Sequence, residues 1–377
     1  MLMRRPGLES RAAAGLIAAG LLSLMAGCAA QKPPDQPLRL VWPAPPEKTR
    51  IEFVRSISSQ KDVNEDTTFT QTVVNFLSGI KPPPDVLTEP MGVAVSDDGN
   101  VLYVSDTGQS AIFVFDFGKK KFHKIQGVIG PIGLTLDSEQ NLYVVEQAKK
   151  GVTVFNPEGK QVRFLTDKSI ERPTGLALDR DRKRIYLADT AHTMSKEHTI
   201  KILSLDGKLI GKIGKVKGNA PGAFLFPTYL ALDREGDLYV TDSLNCRVQE
   251  FDPNGKYVRS FGERGDAWGD FTRPKGVAVD SFGNVYVADS GWSNVQIFNR
   301  NGQVLLFFGG RGPIPGMLKN PTAVAIDAAN HIYVGDFLNH RVEEYRLVNT
   351  TAADSLADSG AAAPASDAEP AGKSPGG

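Results

Sequence analysis

Six times between Pro90 and Tyr345 the chain repeats one pattern. A proline is followed by a small loop, an apolar strand ending in Asp (Ser96 in the first copy), a short polar turn that contains Gly in three copies, and a Tyr-Val-type strand ending in an acid. The clearest copy reads Pro274-Lys275-Gly276-Val277-Ala278-Val279-Asp280, Ser281-Phe282-Gly283-Asn284, Val285-Tyr286-Val287-Ala288-Asp289-Ser290; the others start at Pro90, Pro131, Pro173, Pro227 and Pro321. A unit of roughly 40–50 residues with four short strands cannot bury its apolar faces alone, so it stacks on its neighbours as a propeller blade does. The expected fold class is all-β, a six-bladed β-propeller. Blades are scaffold, which leaves the chemistry to the loops grafted on them.

Within each blade four strands, a to d from the axis outward, follow from the pattern. Strand a is the Gly-Val-Ala-Val type, at 92–95, 133–136, 175–178, 230–232, 276–279 and 323–326; strand b is the Leu/Val/Ile-Tyr-Val/Leu type, as at 238–241. Both are apolar on both faces, as strands sandwiched between blades must be. Strand c ends in Phe, Leu or Tyr, as in Val248–Phe251, and strand d alternates like an outer, half-exposed strand, as in Tyr257–Phe261. Blade six has no strand d of its own, but Phe53-Val54-Arg55-Ser56-Ile57 copies Tyr257-Val258-Arg259-Ser260-Phe261. This N-terminal segment is therefore expected to pair beside strand c of blade six and close the ring, leaving no open sheet edge.

The propeller then spans 50–349. Residues 58–89 connect the closing strand to blade one, and Phe69, Val73, Val74, Phe76 and Leu77 are spaced for one face of a short helix. Residues 28–49, with six prolines between Pro33 and Pro46, read as a stiff tether, and the small, polar residues of 350–377 cannot bury enough surface to order themselves. At the start, Arg4 and Arg5 precede a short apolar run, Ala12 to Met25, and the small pair Ala26-Gly27 abuts Cys28. Residues 1–27 are thus expected to be a signal peptide directing export; the route stays open, since Pro6-Gly7-Leu8 fits a twin-Arg motif poorly.

Two resemblances add to this reading. Leu24-Met25-Ala26-Gly27-Cys28 resembles a bacterial lipobox, with Met25 in place of the usual Leu, which implies lipidation of Cys28, a membrane anchor and, with Ala29 following, the outer membrane. Asp-Ser-Leu-Asn-Cys-Arg-Val-Gln-Glu-Phe (242–251) and Asp-Phe-Leu-Asn-His-Arg-Val (336–342) resemble NHL repeats of six-bladed propellers. That family implies the fold over about residues 50–349 but is nearly silent on activity, its relatives ranging from binding scaffolds to a peptide-amidating lyase and, more distantly, lactonases.

Lys plus Arg equals Asp plus Glu at 43 each, and without the first 27 residues the balance is 40 against 42, so no basic excess points to nucleic acid. Apart from Cys28 the only cysteine is Cys246, so no disulfide is expected if Cys28 is acylated.

The acids ending strand b (Asp106, Glu146, Asp189, Asp242, Asp289, Asp336) precede tight loops and are expected to cap backbone N–H groups rather than ligate a cation. The channel mouth is expected to be lined by Met91, Ile132, Thr174, Thr228, Lys275 and Thr322, a ring poor in metal ligands. Candidate contact residues come from departures between copies. The b–c loop of blade three is five residues longer than its counterparts and carries His192, Lys196, Glu197 and His198, a loop suited to contact or, less simply, to a two-His metal site. The last three d–a loops share a Gly-x₃-Gly-x-Phe/Leu form, and Trp268, Phe226 and Tyr229, with Trp292 of the blade-five b–c loop, make that side tall and aromatic. These residues suit recognition of a protein, peptide or glycan. The expected function is non-catalytic, lipid-anchored binding through the d–a/b–c face, with no cofactor. The alternative is a metal-dependent enzyme of the amidating-lyase or lactonase type.

Overall fold

A computed structural model of the chain describes residues 39–63, 84–214, 216–351 and 354. The helix expected in 58–89 falls mostly outside these residues; the described ends of that segment meet in a bridge between Ser59 and Val86. From Leu40 onward the chain forms one compact unit of six antiparallel sheets. Five sheets have the order a-b-c-d, for example Pro227–Leu232, Leu238–Asp242, Arg247–Phe251 and Tyr257–Phe261 in blade four. The core is divided into six apolar layers, one between each pair of neighbouring blades. Six layers for six blades mean a closed ring.

The closure is made as the sequence copy predicts. Ile51–Ile57 pairs antiparallel with Arg341–Leu347, from Ile51 opposite Leu347 to Ile57 opposite Val342. The copied arginine brings its partner with it: Arg55 Nε lies 2.6 Å from Glu344 as Arg259 Nε lies 3.0 Å from Glu250. The expected tether, however, ends sooner than its prolines suggest. Val41–Trp42 adds a fifth strand outside Ile51–Ile57, and the Trp42 ring packs on Tyr345 and Phe308 at 5.8 and 6.1 Å. Burying that ring outweighs the spacer-like composition around it.

The inner strands approach closely at the glycine of the repeat. A Cβ on Gly92 would sit 1.9 Å from the Ile132 carbonyl oxygen, and one on Gly175 would sit 2.3 Å from that of Thr228. At the other end of strand a the Asp holds the a–b turn. Asp280 accepts the N–H groups of Phe282 and Asn284 at 2.8 and 2.9 Å, and the Tyr286 hydroxyl donates to it at 3.1 Å. Among the described residues no helix is long and apolar enough to cross a membrane.

Candidate binding face

The b–c and d–a loops emerge on one side of the ring, and the acids ending strand b tie them together. Asp106 accepts the N–H groups of Thr88, Glu89 and Gln109; Asp289 those of Thr272, Arg273 and Gly291; Asp336 that of Lys319 at 2.9 Å. Each buried carboxylate thus joins its own b–c loop to the preceding d–a loop. Burial raises the pKa of Asp242 and Asp336, against the hydrogen bonds they accept.

The three tall d–a loops share one internal fixture. Their second glycines, Gly222, Gly269 and Gly316, donate N–H to Gln249, Gln296 and Glu343, which occupy one buried position of strand c. The apolar residue two further on, Phe224, Phe271 or Leu318, is wholly buried. Their tips are then free to stand in solvent: Trp268 is 56% exposed, with its ring 5.1 Å from Phe307; Trp292, in the blade-five b–c loop, is 42% exposed.

The large exposed apolar residues are unevenly placed. Of sixteen among the described residues, nine lie in these loops: Val86, Ile129, Met194, Val216, Leu244, Trp268, Trp292, Ile314 and Leu338. The other seven lie on the d strands, and none lies in the a–b or c–d turns of the opposite side. One side of the ring is apolar at its tips and the other is polar.

The long blade-three loop divides its residues between surface and interior. His192 and Lys196 are exposed, and Glu197 turns outward to pair with Lys212 at 2.8 Å. His198 is buried, so it cannot meet a partner from solution. Its Nδ1 accepts the Phe226 N–H at 2.9 Å, and its ring meets that of Phe226 edge-on at 4.8 Å. Burial lowers its pKa, and an accepting Nδ1 requires the neutral imidazole. His198 is thus a brace for the next d–a loop, and Phe226, at a φ of 61°, is held by it. Among the described residues no three His, Cys, Asp or Glu side chains are grouped to hold a metal.

The ring expected at the channel mouth is also rearranged. Thr174 and Thr322 turn into the blade interfaces, where their hydroxyls donate to the Thr228 and Pro90 carbonyls at 3.0 Å. Close packing of adjacent inner strands leaves those hydroxyls nearer a carbonyl than the axis. Lys275 donates to Asn320 at 3.1 Å, and burial, helped by Arg273, lowers its pKa to about 8. Tyr229 is not on the outer face at all. It occupies the repeat's glycine position and spans the channel from blade four to blade one, its hydroxyl donating to the Met91 carbonyl at 2.9 Å. Below it a cavity of about 640 Å³ opens toward the a–b turns, with walls such as Val95, Leu178, Leu232 and Ile326 and a rim that includes Asp97, Arg180 and Arg234. The signal for Tyr229 was present, since the other copies have Gly92, Gly133, Gly175, Gly276 and Ala323 there.

Comparison with known proteins matches this architecture. The family model described as the SMP-30/gluconolactonase/LRE-like region matches residues 73–174, and the NHL repeat model matches residues 271–298. A gluconolactonase from Xanthomonas campestris superposes with a TM-score of 0.55 at 19% identity, over 69% of this chain and 86% of that one. A protein of unknown function from Bacteroides thetaiotaomicron gives 0.56 at 14% identity, over 69% and 70%, and a streptogramin B lyase gives 0.52 at 11%, over 69% and 94%. No curated protein matches the sequence. Such low identities carry the fold alone. Together with the six interblade layers they make the chain a six-bladed β-propeller, one of whose repeats, in blade five, matches the NHL model.

Proposed function

We propose that this propeller is a non-catalytic binding module, lipid-anchored through Cys28 in the cell envelope, whose working surface is the d–a/b–c face. The carrying observation is that, among the described residues, nine of sixteen large exposed apolar residues lie in those loops and none in the opposite turns. The acids of that face are occupied with backbone N–H groups; the loop of Trp268 is fixed from beneath by the buried Gln296, and the loop of Trp292 is held by the buried Asp289. A rigid support with exposed aromatic tips suits binding, because little ordering entropy is lost when a partner docks.

The test is capture of envelope components by the full chain and by Trp268→Ala/Trp292→Ala. Aromatic anchors of this kind are each worth about 2 kcal/mol or more, so the double variant should lose most of the bound material. An identical set of captured components would count against this face. The enzyme alternative predicts stoichiometric zinc or calcium in the purified protein, lost on His192→Ala; the binding reading predicts no metal that depends on that residue.

A further inference from the structure

The apolar tips are distributed in a way that selects their occupant. Five of the six d–a connections and the b–c loops of blades three to six each present one large apolar side chain. A protein partner is usually held by a central cluster of anchors in a packed patch. Single tips spread round a rim instead suit a planar apolar layer, into which each tip sinks separately. Among the loops without an apolar tip, the blade-two b–c loop and the connection from blade two to blade three expose Lys150, Lys168 and Arg172. Of the neighbouring acids, Asp167 accepts the Ser169 N–H and Glu171 accepts the Ser195 hydroxyl, both within the loops themselves.

The path of the chain is a second, independent observation. The closing strand rises toward the loop face, since Ile57 pairs with Val342 just after the b–c loop and Ile51 with Leu347 at the far end. Val41–Trp42 is antiparallel to it and so runs away from that face; Leu40 accepts the Phe53 N–H at 2.9 Å and lies against Gly316 of a tall d–a loop. Leu40 therefore lies nearer the loop face than Trp42 does. Cys28 and Leu40 are twelve Cα steps apart, which at about 3.5 Å each can span roughly 40 Å at most.

We infer that the occupant of the d–a/b–c face is the headgroup layer of the membrane that holds Cys28, with Trp268 and Trp292 seated at the interface. Tryptophan is favoured at that depth because its ring is apolar and its N–H is satisfied by headgroups and water. The inference rests on the anchored reading above and replaces a protein, peptide or glycan as the face's partner. It also leaves the 640 Å³ channel cavity opening away from the membrane.

The test uses the full chain purified from membranes and reconstituted in vesicles of phosphatidylethanolamine and phosphatidylglycerol whose acyl chains carry bromine near the headgroups. Two of the three tryptophans lie on the face, so emission should fall by about half. Trp268→Phe/Trp292→Phe, which keeps only Trp42 and changes exposed side chains, should be unaffected by bromine. Vesicle flotation and the mass of the Cys28 peptide are read in parallel. Flotation with lipid on Cys28 but unquenched emission would overturn the orientation alone, and cross-links from Trp292 to a polypeptide would then assign the face to a protein. No flotation and no lipid on Cys28 would remove the anchored reading and this inference with it.

Discussion

Tyr229 stands where four copies of the repeat have glycine, and its side chain goes the only way open to it, across the channel to the Met91 carbonyl. Burial raises its pKa, so the hydroxyl stays a donor at any ordinary pH. Tyr229→Phe should cost about 1 kcal/mol, the net worth of one hydrogen bond, and Tyr229→Gly about 3–4 kcal/mol for the lost ring and the opened channel. Melting of the two variants checks this; a harmless Tyr229→Gly would mean the bridge supports nothing. The departure from glycine could be read in the sequence, but its direction could not, because that depends on how the six inner strands converge. His198 shows the same limit: the long loop of blade three was legible, yet which of its two histidines turns inward depends on the height of the next d–a loop. The strand-b acids were easier, since a carboxylate before a tight turn has nearby N–H donors whatever the ring does.

At the level of elements, blade six depends on a strand borrowed from the other end of the chain. Removing residues 50–58 should lower the melting temperature sharply, because Val342 and Tyr345 lose their cover and strand c is left with an open edge. An unchanged melting curve would contradict the assignment. Glu343 makes the same junction sensitive to pH. Burial raises its pKa to about 7, against the Ser56 hydroxyl, the Arg341 charge and the Gly316 N–H. The folded chain therefore holds this proton where the unfolded chain, near the ordinary glutamate value of 4.5, has released it. The contribution of Glu343 is full below that lower value and is lost as pH rises through the upper one. Glu343→Gln stays neutral, so its stability relative to the parent should improve between about pH 5 and 8, by about 3 kcal/mol at most. Parallel pH profiles would overturn this. The closing strand was legible because it copies a sister strand residue for residue. Val41–Trp42 was not, because six nearby prolines describe a spacer and only the contact with Tyr345 and Phe308 reveals a strand.

For the whole molecule, equal numbers of acidic and basic residues conceal two unlike sides, one apolar at its tips and the other edged with Asp and Arg around a cavity. The division is invisible in composition and appears only when the loops are sorted by the side on which they emerge. The closing pair has a consequence for how the molecule is made. Ile51–Ile57 is synthesised before any blade, yet its partner, Arg341–Leu347, is synthesised after all the others. Nearly three hundred residues must leave the ribosome before Ile51–Ile57 can pair with that strand, while blades one to five each close on their own hairpins. Passage across a membrane as a threaded chain would suit such an order, because the two halves of blade six arrive on the far side at opposite ends of the process. Until the last of them emerges, the assembly is an open arc with two sticky ends, and a single late pairing turns it into a ring.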